Sequence, residues 1–414
     1  MTRTCRQRLA PDAPARAAWR AWTRGDISAA ERLAQRTSPL RRAHLLFLTS
    51  YVQGRYEEAL GHHAIIQARR PGRTALDEPA ALAWLHLSQP DEAYAHVLRR
   101  RGKRPVPPDL QLRVDNPLRA TLDRTTQLPF ADHALAPFLP GVDVTLDGHR
   151  LCAHLDTGGT FVVMGTQRAE ALGIRLAANG RDHHGTTRTD VYVGVARELT
   201  LGGATLTNVP VEAMPTLRDG QDVVLLGTNI LQQFLATIDY PGQRLLLSPR
   251  RDPQQAADHL AQLRDLKEVA RFPFYLWGDH YMFARGGFGI WQDLNFFVDS
   301  GLAYVIQEED SPPRQACLYT TARHYRSWGI PRARAAGPHF EADQPIWLGP
   351  LRQDKQFVAT SPARRPPWHS FGGVRIDGLL SHAFLSAYAW TLDFDRHEYT
   401  FREPARLQLP AAQL

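Results

Sequence analysis

Cysteine is scarce in this chain: Cys5, Cys152 and Cys317 are the only three in 414 residues. They stand too far apart for a disulfide framework, and no CxxC pair is present to hold zinc. Such usage suits a reducing compartment, and the expected location is the cytoplasm. Long apolar runs are missing as well. Stretches such as Leu45 to Leu48 and Leu294 to Val298 fall far short of the ~20 residues that cross a bilayer, so no membrane partner is expected. The N-terminus carries Arg3, Arg6 and Arg8, but Pro11, Asp12, Pro14 and Arg16 interrupt the stretch behind them. A secretory signal needs an apolar segment of roughly 7–15 residues at that place, so none is expected. A Gly-rich phosphate loop, a GxSxG elbow and an HExxH pair are all lacking, which removes three common catalytic signatures. No cofactor and no metal are expected.

What is present reads as an ordinary globular protein. Hydrophobic residues make up 43% and charged residues 22% of the chain, enough apolar material for a core and too little charge for wholesale disorder. At ~100–200 residues per domain, the length implies two or three domains. The net charge of +7 is uneven: residues 1–104 hold 19 Lys+Arg against 9 Asp+Glu, and the remainder 30 against 33. No RNP-type aromatic run or zinc finger accompanies the basic part, so the charge is read as a solvated surface and no nucleic-acid partner is expected.

Residues 15–100 show no strand alternation. Their apolar residues recur at helical spacing: Trp19 and Trp22; Ile27, Ala30 and Leu33; Leu45, Leu48 and Val52. Gly54-Arg-Tyr-Glu-Glu-Ala59-Leu60 resembles Gln89-Pro-Asp-Glu-Ala93-Tyr94, and Gly25-Asp-Ile-Ser-Ala-Ala30 is a further, degenerate unit. Ala59 and Ala93 are 34 residues apart, the period of tetratricopeptide repeats, which this part resembles. The resemblance implies stacked helix pairs and a possible protein partner for them. The run from Arg99 to Pro108, with three prolines near its end, predicts a boundary. The expected division is a helical domain over 1–104, a linker over 105–119, a first β lobe over 120–250, a helical connector over 251–268 and a second β lobe over 269–414.

Two segments of the β part carry chemistry. Leu151-Cys-Ala-His-Leu-Asp156-Thr157-Gly158 is an apolar strand running into a hydroxyl-glycine turn. Leu294-Asn-Phe-Phe-Val-Asp299-Ser300-Gly301 repeats it 143 residues later without a gap. A later element recurs too. Leu225-Leu226-Gly227 continues to Thr237-Ile-Asp239-Tyr240, and Leu379-Leu380-Ser381 continues to Thr391-Leu-Asp393-Phe394, at a constant offset of 154.

An internal duplication of this kind resembles the aspartic peptidases, over roughly residues 120–405. The short halves are similar to the retropepsin-like domain, and their fusion on one chain is similar to pepsin. The resemblance implies a multidomain α and β protein: an N-terminal α-helical repeat-like domain followed by a bilobal all-β aspartic peptidase fold. It implies an aspartic endopeptidase acting on a peptide or protein substrate, with Asp156 and Asp299 as catalytic pair. Two neighbouring carboxylates share a proton, so one serves as base and the other as acid. Thr157, Gly158, Ser300 and Gly301 would support the dyad loops by cross-bracing and close approach. Leu226-Gly227 and Leu380-Ser381 would pass beneath them, with Ser381 a departure from the family's glycine. The alternative is an inactive peptidase fold that binds peptides or acts as an adaptor through its helical repeats.

Lesser readings follow from the remaining motifs. Asn179 to Gly185 is turn-rich and predicts a hairpin flap, with Ala336 to Phe340 and Ile346 to Leu348 as its counterpart. His183-His184 is read as a solvated pair rather than a metal site, because adjacent histidines on a strand point to opposite faces and cannot easily bind one ion, and His62-His63 in the helical part is read the same way. Cys152 is expected to pack as a core residue rather than act as a nucleophile. Asp252 to Lys267 is expected to form the connecting helix. Gly159 and Leu302, three residues after each aspartate, offer no hydroxyl to the dyad anion, so activity is expected to reach towards neutral pH.

Overall fold

A computed structural model describes residues 13–72, 75–101, 106–133, 135, 138–184, 187–217, 223–307, 312–330, 338–363 and 365–405. The helical part holds α1 (Ala13–Thr23), α2 (Ile27–Ala34), α3 (Pro39–Val52), α4 (Tyr56–Arg69), α5 (Asp77–His86) and α6 (Pro90–Arg101). Consecutive helices pack in pairs, α1 on α2, α3 on α4 and α5 on α6. Each pair turns on a left-handed residue: Gly25 and Gly54 at φ +73° and Ser88 at φ +58°. Five residues after each lies an alanine with no exposure, Ala30, Ala59 or Ala93. The left-handed residue reverses the chain, and the small side chain lets the two helices approach.

A seventh helix, α7 (Pro108–Asp115), occupies the expected linker. The prolines before it do not oppose a helix there. Pro108 sits in its first turn, where a missing N–H leaves no intrahelical bond unmade.

The β part repeats one pairing scheme. His149–Asp156 runs parallel to Val224–Gly227, which is antiparallel to Val162–Gly165, itself parallel to Ala204–Met214. In the second half Trp291–Val298 runs parallel to Gly378–Leu380. That strand is antiparallel to Leu318–Thr321, itself parallel to Phe357–Ser361. A sheet below joins the halves in the order Leu266–Pro273, Glu398–Pro404, Ala389–Asp393, Leu235–Asp239, Arg244–Ser248, Thr126–Pro129. At its centre Thr237 pairs with Thr391, 154 residues on, and their hydroxyls hydrogen-bond at 2.7 Å.

The connector differs from expectation at its end. The helix covers Pro253–Ala261, and Leu266 and Lys267 already belong to a strand. Leu263 is buried while Leu260 is 49% exposed, so one leucine rather than a full stripe anchors the connector.

The helical pairs share a core with the second half. Trp22, Phe47 and Tyr51 cluster with Phe283, Phe297, Phe371 and Val374. Polar contacts seal the seam: Trp22 Nε1 donates to Gly372 O at 3.0 Å, Asn295 Nδ2 to Arg24 O at 3.0 Å, and Tyr51 Oη to Gly278 O at 3.2 Å. Among the described residues no helix is long and apolar enough to cross a membrane.

Candidate active site

Each aspartate ends a strand whose parallel neighbour fixes its height. Asp156 is in register with Gly227, and Val298, just before Asp299, with Leu380. The structure brings the two loops face to face. Thr157 N donates to Ser300 Oγ at 2.9 Å, and Ser300 N to Thr157 Oγ1 at 3.0 Å. Each hydroxyl then donates back across the gap, Thr157 Oγ1 to Val298 O at 3.0 Å and Ser300 Oγ to Leu155 O at 2.9 Å. Both hydroxyl residues are fully buried, so four bonds with no competing water lock the loops together.

The carboxyl groups of Asp156 and Asp299 meet where the two loops face each other, each lying against the glycine of the other's turn. Each also accepts from the glycine two residues on, Gly158 N to Asp156 Oδ1 at 2.8 Å and Gly301 N to Asp299 Oδ1 at 2.9 Å. These glycines leave the partner room: a Cβ on Gly158 would lie 2.5 Å from Asp299 Oδ1, and one on Gly301 would overlap the Asp156 carboxyl. Burial raises the Asp299 carboxyl well above the usual carboxylate range. The Asp156 carboxyl beside it pushes the same way, against the N–H groups of Gly301 and Leu302.

The under-loop elements are alike in backbone and unlike in side chain. Gly227 has φ −89° and ψ 177°, Ser381 φ −91° and ψ 177°. Gly227 N donates to Phe161 O at 2.7 Å and Ser381 N to Cys317 O at 3.0 Å. Leu226 and Leu380 point into the core with no exposure. Ser381 Oγ caps the short helix His382–Leu385 by accepting from Ala383 N at 3.1 Å, and it donates to Ala316 O.

Sequence reasoning passed over Thr228, whose hydroxyl donates to Thr157 O at 2.9 Å. Its position directly after Gly227 is the one signal for it. Gln315, in the longer second loop, had none.

The hairpin Ala177–His184 and Thr187–Leu201 lies where a flap is expected. Its tip at 185–186 falls outside the described residues, as do the side chains of His183 and His184. The second-half counterpart differs: His339–Glu341 pairs with Phe357–Ser361 and Ile346–Leu348 with Tyr281–Phe288, while Ala336 and Gly337 lie outside the described residues. Cys152 is half-buried, and burial followed by the Asp143 charge raises its thiol, which leaves it a poor nucleophile at neutral pH.

Beside the Asp156 loop opens a cleft lined among others by Asp109 and Arg113 of α7, Thr160, Phe161, Glu212 and Asp279. Arg113 bonds Asp279 at 3.0 Å and stacks 5.0 Å over Phe161. Burial, then the charges of Asp182, Asp109 and Asp279, push Glu212 up to about 7.

His63 is not solvated. It is 5% exposed and faces Asp77 at 3.0 Å, and with His96 it forms one group able to ligate metal among the described residues. The group does not fit a cation well. Asp77 Oδ1 already takes Gln67 Nε2 at 2.9 Å and lies 3.4 Å from the Arg100 guanidinium, and His96 Nε2 is engaged with Asp77 O at 3.0 Å. It reads as a buried polar network tying α4, α5 and α6.

A family model described as aspartyl protease matches residues 142–230, the segment that holds Asp156-Thr157-Gly158 and Leu226-Gly227. That match supports an aspartic protease fold. No curated protein matches the chain. Among solved structures, a retropepsin-like aspartic protease from Rickettsia conorii is similar at 14% identity, over 32% of this chain and 92% of that one, with a TM-score of 0.23.

Proposed function

We propose that the chain is an aspartic endopeptidase, with Asp156 and Asp299 as its acid–base pair. The observation that carries this reading is the meeting of the two carboxyl groups between cross-braced loops. A pair sharing one proton holds a water between them. The ionised oxygen takes a proton from that water as it attacks the peptide carbonyl carbon, and the protonated partner gives its proton to the carbonyl oxygen. Collapse of the tetrahedral diol then returns a proton to the leaving nitrogen and restores the shared state. The chain divides, on this reading, into a helical domain with tetratricopeptide-like pairs and two peptidase lobes, one per aspartate.

The test is turnover of an unstructured peptide pool by the purified chain, read by mass spectrometry, beside Asp156→Asn and Asp299→Asn. Each amide variant keeps shape but cannot act as base, and a loss of about 10²–10⁴ in rate is expected. A folded wild type that binds the peptides without cleaving them, indistinguishable from Asp156→Asn, would establish the adaptor alternative instead.

A further inference from the structure

The two dyad loops are cross-braced alike but supported differently one layer out. In the first half, Thr228 follows Gly227, and a single residue does the work: its side-chain hydroxyl donates to Thr157 O at 2.9 Å and its backbone N–H to Gly159 O at 3.1 Å. The residue 154 positions on is His382, which has no hydroxyl. The second loop is also longer. The offset between the halves grows from 143 at the aspartates to 154 at the under-loop element. A small hairpin of Val305–Ile306 with Arg314–Gln315 lies in between.

The longer loop is held by a relay. His382 Nδ1 lies 2.9 Å from Gln315 Oε1. Gln315 Nε2 donates to Leu302 O at 3.1 Å and to Phe138 O at 3.3 Å. Both amide hydrogens are spent on carbonyls, so Oε1 must face His382, and the imidazole must carry its proton on Nδ1. One side chain thereby joins three segments: the under-loop element of the second half, the residue three after Asp299, and a loop of the first half. His382 is 6% exposed, and Tyr240 of the first half packs edge-on against it with ring centroids 5.0 Å apart. Burial pushes its imidazole down to about 4, so the neutral, donating form persists through mildly acid pH.

We infer that Gln315 and His382 are positioning residues for the dyad, holding the Asp299 loop at its distance from Asp156 by tying Leu302 to both halves. The inference rests on the proposed peptidase reading. Its logic is geometric: two carboxyls share a proton only while they touch, and the relay spans the seam along which they would part.

The test combines Gln315→Leu, His382→Leu and His382→Asn, the last of which keeps an N–H where Nδ1 stood. Both leucine variants should lose about 10–100-fold in kcat on the peptide pool, as small misplacements do, with KM nearly unchanged. Their upper pH limb should move to lower pH, because separated carboxylates raise each other's affinity for protons less. His382→Asn should restore most of the rate. Wild-type kcat and pH profile in a folded Gln315→Leu overturn the inference, as does His382→Asn being as impaired as His382→Leu. A second readout separates this inference from the function itself. In ¹³C-NMR titration of the aspartate carboxyls, the raised Asp299 transition should fall in Gln315→Leu even if the wild type cleaves nothing, and an unmoved transition overturns the relay.

Discussion

Placing a hydroxyl beside the dyad should pull the pH range of activity downward, and Gly159→Ser is the position to do it. A Cβ there would sit 3.2 Å from Asp156 Oδ2. That is tight enough for the carboxyl to yield by a few tenths of an ångström, and close enough for Oγ to donate to it. A hydrogen bond to a charged group is worth about 1.5–3 kcal/mol net. At about 1.4 kcal/mol per pH unit, it lowers the dyad's proton affinity by roughly one to two units. The active form carries one proton, and rising pH removes it, so a donor to the anion brings that loss to lower pH. The wild type starts from the opposite condition, with Asp299 raised by burial and by Asp156, and its upper limb should lie well above that of a solvated carboxylate pair. The assay is kcat/KM against pH for both proteins on one peptide. An upper limb that moves to higher pH in the serine variant, or wild-type activity confined below about pH 4, refutes the reasoning.

Other consequences can be checked by unfolding. Burial holds the Glu212 carboxyl up at about 7 in the folded chain, above the ~4.3 of a free glutamate, so stability should fall as pH rises through that window. Glu212→Gln should flatten this dependence and gain about 1–3 kcal/mol above pH 7, read from urea midpoints. Trp22→Ala empties a site that is 1% exposed and shared with the second half, and should cost about 3–5 kcal/mol with a single transition for the whole chain rather than separate melting of the helices. Gly227→Ser should impair folding because Thr160 O occupies the place of its Cβ, whereas Ser381→Gly, which removes a helix cap and leaves the buried Ala316 O without its donor, should cost about 1–3 kcal/mol and keep activity.

What the sequence made legible is what short-range chemistry dictates. An apolar strand running into Asp-Thr-Gly or Asp-Ser-Gly announces itself twice, and the structure sets those two turns against each other. The helix pairs were legible from apolar spacing, and their turns from Gly25 and Gly54, while Ser88 takes the same left-handed backbone without a glycine to signal it. Helix α7 was hidden by the prolines ahead of it, since a residue that ends one helix also starts the next. Burial of His63 was hidden because its partner Asp77 lies on another helix. The docking of the helical pairs on the second half was not readable at all: Phe283, Phe297 and Phe371 are the residue types that any strand buries, and nothing in their spacing says which element covers them.

The substitution of serine for glycine at position 381 is the feature of the sequence that most suggests decay of a catalytic site, and the geometry gives it another meaning. Gly227 is required because the short first loop folds back over it, with Thr160 O where a side chain would begin. Ser381 has the same φ and ψ to within a few degrees, so the backbone itself never demanded a glycine at either place. What differs is the covering loop, which is longer in the second half and leaves room for a hydroxyl. That hydroxyl is used twice, accepting from Ala383 N and donating to Ala316 O. A drifting position in a dead site would be expected to leave a buried polar atom unmatched, at about 1–3 kcal/mol. Here the side chain, the loop length and the relay through Gln315 fit one another, as they would if the second half had been rebuilt around a dyad that still had to be held in place.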